Sequence, residues 1–325
     1  MDDRKTQLAT DVPEMVLPAG PTAARLAWQR RWRAVTQPKY LLLLPVTVIL
    51  CLVTIYPFVQ ALRESVYNVT IQNYFSASFV GLQNYATALQ DGTFWTSLLV
   101  SLIYVVCAVA IEFLLGLVLA LLLNRHLPGK RIIITLLIAP MLIAPVLIGY
   151  SFLLQLDPLY GPIPYWLSTY LHFTFGGQGP LGPSYALPTV IVVDIWQWTP
   201  FMFVLLYAGL QTQSQEVIEA ARVDGAGFLR LLVSITLPLL RPVIAVAVLF
   251  RTVDAFRTFD SIHVLTDGGP QNATSTISVF IDHTAFLAGN FGEAAAISVL
   301  LIVLVTIVAR VVVRFLFGQQ IAAIR

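Results

Sequence analysis

Six apolar runs, at 40–62, 97–123, 132–154, 186–210, 242–265 and 294–317, limit this chain's fold more than any other feature. At about 1.5 Å per residue, each is long enough to cross a hydrocarbon layer roughly 30 Å thick as a helix. Backbone polar groups find no water in such a layer, so helices are the structure these runs permit. Composition agrees: 58% of residues are hydrophobic, 11% are charged and mean hydropathy is +0.80. A soluble domain carries about a quarter charged residues. The expected fold class is an all-α polytopic membrane protein with six transmembrane helices. A tail at 1–38 precedes a membrane domain at 39–318, and a short tail at 319–325 follows it.

The basic residues orient the spans. Sixteen of the nineteen Lys and Arg residues fall in segments on one side. Arg63 falls on the other, and Arg251 and Arg257 lie within the fifth run. The positive-inside rule then places both termini and the loop at 211–241 in the cytoplasm. Arg25, Arg30, Arg31 and Arg33, interleaved with Leu26, Trp28 and Trp32, form either a basic helix on an anionic leaflet or a solvated tail. Membrane lipid is thus an expected partner. Nucleic acid is not, because the basic residues flank apolar runs instead of forming an aromatic-laced patch.

The cytoplasmic loop has legible local physics. Ser214 is a candidate N-cap, and Val217, Ile218, Ala221 and Val223 recur at roughly helical spacing. Glu216 and Glu219 sit in the first turns, where the helix dipole favours acids. Ala220 and Ala221 are small enough for another surface to approach closely. Gly225 and Gly227 let the backbone turn. A second short helix is expected to follow, closed by Pro238 and Pro242.

In spacing, Glu219-Ala220-Ala221, then Gly225, then Ile235-Thr236-Leu237-Pro238, resembles the EAA loop of binding-protein-dependent ABC importer permeases. Asp224 before the glycine also matches. Phe79-Val80-Gly81-Leu82-Gln83-Asn84-Tyr85 is similar to the carbohydrate branch of that family. So is Phe259-Asp260 followed by Leu265-Thr266-Asp267-Gly268-Gly269-Pro270. The stretch from Arg251 to Arg257 looks most like permeases for disaccharides of the trehalose and maltose class. The resemblance implies the type I importer fold, a bacterial cytoplasmic-membrane location and ATP-driven carbohydrate uptake. It implies that Glu216, Glu219, Ala220, Ala221, Asp224 and Gly225 dock on an ATPase subunit. It implies further partners: a second homologous permease subunit, two ATPase subunits, and an extracytoplasmic substrate-binding protein or lipoprotein. ATP and Mg would sit on the ATPase subunits, with no cofactor on this chain.

Polar residues inside the spans are the candidates for the substrate path, because a bare charge in hydrocarbon costs several kcal/mol. The fifth run carries Arg251, Asp254, Arg257 and Asp260, each three residues from the next. Counted from Pro242, Asp254 would lie about 18 Å along the helix, near mid-membrane. The fourth run carries Asp194, Trp196, Gln197 and Trp198. Carboxylates, guanidinium groups and amides hydrogen-bond sugar hydroxyls, and an indole face covers the apolar face of a sugar ring. The two indoles are two residues apart, so at most one can line a cavity well. The alternative is that Asp194 and the fifth-run charges are paired ions locking helices together. Glu112 in the second run reads as an interhelical pair.

Several chemistries are excluded. Gly129-Lys130 is followed by Arg131, and Asn124 stands where a phosphate-binding loop needs glycine, so this chain is not itself the ATPase. No nucleophile elbow is present. His126, His172, His263 and His283 are scattered without metal-ligand spacing, and Cys51 and Cys107 lie inside apolar runs. No metal site is expected. A glycerol phosphate or another sugar derivative is the alternative substrate. A self-sufficient carrier or channel is the alternative class, and it would need its own coupling-ion site or symmetric repeats.

Overall fold

The computed structural model describes residues 38–125 and 127–322. The basic stretch at 25–33, the rest of the expected N-terminal tail, His126 and residues 323–325 lie outside the described residues. The contacts divide the chain into Met1–Gln60 and Ala61–Arg325. The first unit holds most of helix α1 (Pro38–Glu64), an apolar helix with Pro45 and Pro57 in its interior.

In the second unit, a hairpin of two-residue strands, β1 (Tyr67–Asn68) and β2 (Ser78–Phe79), precedes α2 (Gln83–Gln90). The Phe79–Tyr85 stretch has a structural use here. Asn84 Nδ2 donates to the carbonyls of Ser65 and Tyr67, both at 2.9 Å, and the Tyr85 hydroxyl donates to Ser65 Oγ at 2.7 Å. These bonds fasten α2 beneath the hairpin.

Helix α3 (Gly92–Leu123) starts at Asp91, whose side chain accepts the Thr93 N–H. It packs along α7 (Ala186–Gln211). Close approach is possible because Gly116 lacks a side chain: a Cβ there would lie 2.7 Å from Met202 Cβ. Tyr104, Ala108, Val190 and Met202 fill the seam.

The third apolar run is not a straight span. It divides into α4 (Lys130–Ile138), a 3₁₀ turn at Ala139–Leu142, and α5 (Pro145–Gln155), bent by 96° at the break. Proline supplies the reason. Pro145 is at the first turn of α5 and holds Ala144 in the extended region, φ −60° and ψ 135°, which ends the preceding helix. A short helix α6 (Pro162–Leu171) then lies in the loop before the next long helix.

After α7 come α8 (Gln215–Val223) and α9 (Phe228–Phe256). Pro238 and Pro242 do not close a short helix. The chain passes through a π turn at Leu232–Thr236 and continues past both prolines. The wider turn makes room for the pyrrolidine ring, and Gln213 Nε2 donates to the Thr236 carbonyl at 3.0 Å, tying the turn to the segment that follows α7.

The fifth run therefore starts earlier than 242 and stops at Phe256, short of 265. A separate helix α10 (Asp260–Thr266) follows, then α11 (Ile277–Leu287), whose second half is a π turn, and α12 (Phe291–Ala322). The Ser278 hydroxyl donates to the Phe256 carbonyl at 3.0 Å, which stabilises the stop. The final helix runs beyond 318. Among the described residues, five helices are long and apolar enough to cross a membrane, and the bent pair makes a sixth if counted as one span.

Candidate functional site

Two regions carry the candidate residues, at opposite ends of α9. The first is the turn between α8 and α9. Ser214 occupies the N-cap position of α8, although its side chain caps nothing. Glu216 lies in the first turn and Arg222 in the last, both favourable to the helix dipole. The end of α8 is a Schellman arrangement: Ala226 N–H bonds the Ala221 carbonyl and Gly225 N–H bonds the Arg222 carbonyl, both at 3.0 Å. Gly225 sits at φ +80°, a conformation that disfavours any side chain, while the space around it is open. Its identity is thus set by backbone geometry and not by packing. Glu216, Glu219, Ala220, Asp224 and Gly225 are exposed and Ala221 half-buried, with Val223, Phe228 and Leu229 strongly exposed nearby. Four charges and several bare apolar groups share one short surface.

The second region is built on Arg251, which is fully buried. Its Nε donates to Glu112 Oε2 at 2.8 Å and its Nη2 to Glu112 Oε1 at 2.9 Å. Nη2 also reaches Asp194 Oδ2, and Nη1 reaches Asp254 Oδ2 at 3.2 Å. Its guanidinium carbon lies 5.2 Å from the Trp198 ring centroid, a cation–π contact. One guanidinium thus ties α3, α7 and α9 through three carboxylates. Glu112, read from the sequence as an interhelical pair, is one in the structure. Asp194 is buried with it, whereas the Asp254 side chain is 35% exposed.

The four-charge ladder expected along the fifth run is only partly formed. Arg251 and Asp254 pair at i,i+3, but α9 ends at Phe256. Arg257 becomes its C-cap, and Asp260 opens α10. Asp254 is accordingly in the last turn of its helix, not at the middle of a span.

A cavity of about 170 Å³ lies next to this cluster, lined by Trp198, Asp254, Arg257, Phe259 and Asp260 among others. Trp198, Asp254, Arg257 and Asp260 are thereby brought to one wall system. Arg251 and Asp194 stand behind it. Trp196 is elsewhere, edge-on to Phe152 at 5.3 Å. Gln197 is also elsewhere: it is buried, and its Nε2 donates to the Ile143 carbonyl at 3.3 Å. That carbonyl is freed by the 96° break, so Gln197 repairs the bend instead of facing the cavity. Phe259, known from the sequence only as part of the Phe259-Asp260 match, and Thr258 also line the cavity, and nothing in the residue pattern marks the helix end at 256 that puts them there.

The family described as binding-protein-dependent transport system inner membrane component matches residues 112–319. The chain is 38% identical over 279 residues to the trehalose transport system permease protein SugA of Mycobacterium tuberculosis, covering 86% of this chain and 88% of that one. It is 36% identical over 271 residues to the trehalose/maltose transport system permease protein MalF of Thermococcus litoralis, covering 82% and 89%. A crystal structure of a bacterial alginate ABC transporter, in complex with an alginate pentasaccharide-bound periplasmic protein, contains a chain of the same fold. That chain matches with a TM-score of 0.71 and 22% identity, over 91% of this chain and 97% of its own length. The exposed EAA turn, the apolar helices and these matches agree: the chain belongs to the binding-protein-dependent ABC importer permeases, in their carbohydrate-uptake branch.

Proposed function

We propose that this chain is one of two permease subunits of an ATP-driven importer that takes up a disaccharide of the trehalose or maltose class. The observation carrying this reading is that α9 is continuous from the exposed turn at Gly225–Gly227 to the cavity beside Arg251. A push on the turn is transmitted along a helix of about 43 Å to the cavity wall. The exposed apolar and acidic groups of α8 would dock on an ATPase subunit, which holds ATP and Mg. A second permease subunit and an extracytoplasmic binding protein complete the assembly, as in the alginate transporter for the latter. Both termini and the coupling loop at 211–241 would face the cytoplasm.

The cavity wall supports this substrate class. Trp198 and Phe259 offer aromatic faces, and Asp254, Asp260 and Arg257 offer hydrogen-bonding groups suited to neutral hydroxyls. Two carboxylates stand against one guanidinium there, which disfavours a phosphorylated sugar. The test is uptake of labelled trehalose and maltose into proteoliposomes holding the whole complex and its binding protein. ATP-dependent accumulation of either, without competition by excess glycerol phosphate, supports the reading. Competition by glycerol phosphate at the level of unlabelled trehalose would sink it.

A further inference from the structure

Outside both regions above, the fold gathers titratable side chains on α10 and α11. His263 is on α10, and Asp282 and His283 are on α11, at its entrance to the π turn. One nitrogen of each imidazole and one carboxylate oxygen of Asp282 lie within 4.8 Å of one another. Asp267 bonds both rings. Its Oδ1 is 2.8 Å from His263 Nδ1 and 2.9 Å from His283 Nε2. Scattered in sequence, the two histidines are adjacent in space because Asp267 and Gly268 both take positive φ, 47° and 78°, and turn the chain back.

We propose that His263, Asp282 and His283 form a binding site for a divalent transition metal of the zinc class, with Asp267 as the residue that orients both rings. Two imidazoles and a carboxylate are a donor set that zinc accepts, with a fourth position left to water. A carboxylate holding the far side of ligating imidazoles fixes their orientation and raises their basicity. His263 is also held by stacking on Phe259, with ring centroids 4.9 Å apart and planes inclined by 22°. Zinc–nitrogen bonds of about 2.0–2.1 Å would draw the three ligand atoms to about 3.3 Å from one another. That is a small closure for side chains that remain partly exposed at 44% for His263 and 27% for His283. The ion would clamp α10 to α11. Because Phe259 and Asp260 line the cavity and lead directly into α10, the clamp also restrains one wall of it.

The experiment uses the full chain purified with its partner subunits through a tag free of histidine, stripped with chelator and dialysed. Zinc chloride is titrated in, and bound metal is counted by mass spectrometry after desalting. Wild type should hold one zinc more per copy of this chain than His263→Gln/His283→Gln, and zinc should raise the melting temperature of wild type alone. Asp267→Asn should keep the stoichiometry and weaken affinity by about 10–100-fold. If the double variant aggregates, Asp282→Asn is read in the same assay and should weaken binding. Equal zinc content in wild type and the folded variants, or a melting temperature that zinc leaves unchanged in wild type, would overturn the proposal and leave a hydrogen-bonded His–Asp–His group.

Discussion

Arg251 and Glu112 meet fork to fork, through Nε–Oε2 at 2.8 Å and Nη2–Oε1 at 2.9 Å, across 139 positions of sequence. Both side chains are closed to solvent. The pair joins the helix leading from the exposed turn to the helix that packs along α7.

Removing the guanidinium should therefore be severe. Arg251→Met leaves Glu112 and Asp194 buried without their cation, and breaking such a pair costs about 3–5 kcal/mol. The melting temperature of the complex in detergent should drop. Arg251→Lys should not restore it, because an ammonium cannot make the two parallel bonds. A melting temperature within error of wild type for Arg251→Met would contradict this account.

Asp254 should behave differently from Glu112. Glu112→Gln weakens a buried bidentate pair and should lower stability and uptake together. Asp254 is partly open to the cavity, so Asp254→Asn should leave melting nearly unchanged while uptake falls about tenfold, the equivalent of one charge-assisted hydrogen bond. Labelled-sugar uptake measured beside melting temperature separates the two. Replacing Arg251 and Asp254 together by a neutral pair should not recover uptake. Full recovery would reduce Asp254 to a structural partner.

Much of this was legible from residues alone. Long apolar runs dictate helices, and the glycine at 225 with Glu219-Ala220-Ala221 before it marks a turn whose positive φ the structure displays. What was hidden follows from two causes. Proline spacing is ambiguous: Pro145 follows Ala144 in the extended region and breaks its run, whereas Pro238 follows a π turn and is absorbed together with Pro242. Helix ends without Gly or Pro are silent as well. The stop at Phe256 depends on Ser278, 22 residues on, and it moves Arg257 and Asp260 off the expected stripe. His263 and His283 stand 20 positions apart in sequence, and only the turn at Asp267 and Gly268 brings them together.

Gln197→Leu tests the role given to the bend. The substitution keeps volume but leaves the Ile143 carbonyl without its donor, a loss of about 1–3 kcal/mol. Faster amide exchange across 139–147 and a lower melting temperature are expected. Loss of sugar binding with unaltered exchange would return Gln197 to the substrate path.

Orientation is read by single cysteines in a background lacking Cys51 and Cys107. Ser76, Ser184 and Arg230 are all exposed positions. Impermeant maleimide applied to whole cells should label Ser76→Cys and Ser184→Cys at once. Arg230→Cys should react only after permeabilisation. Labelling of position 230 in intact cells would refute the arrangement with a cytoplasmic coupling loop.

The central claim is that the turn at Gly225 transmits ATPase motion to the cavity at Arg251. Glu219→Lys reverses a charge on the exposed surface of α8, and Gly225→Pro cannot adopt φ +80° and loses the N–H that bonds Arg222. Neither touches the buried cluster. The decisive measurement is substrate-stimulated ATP hydrolysis by the reconstituted complex, taken with sugar uptake and with melting temperature as a control for folding. Both variants should keep a folded permease and lose the stimulation and the uptake together. Wild-type stimulation and uptake in both would contradict the account.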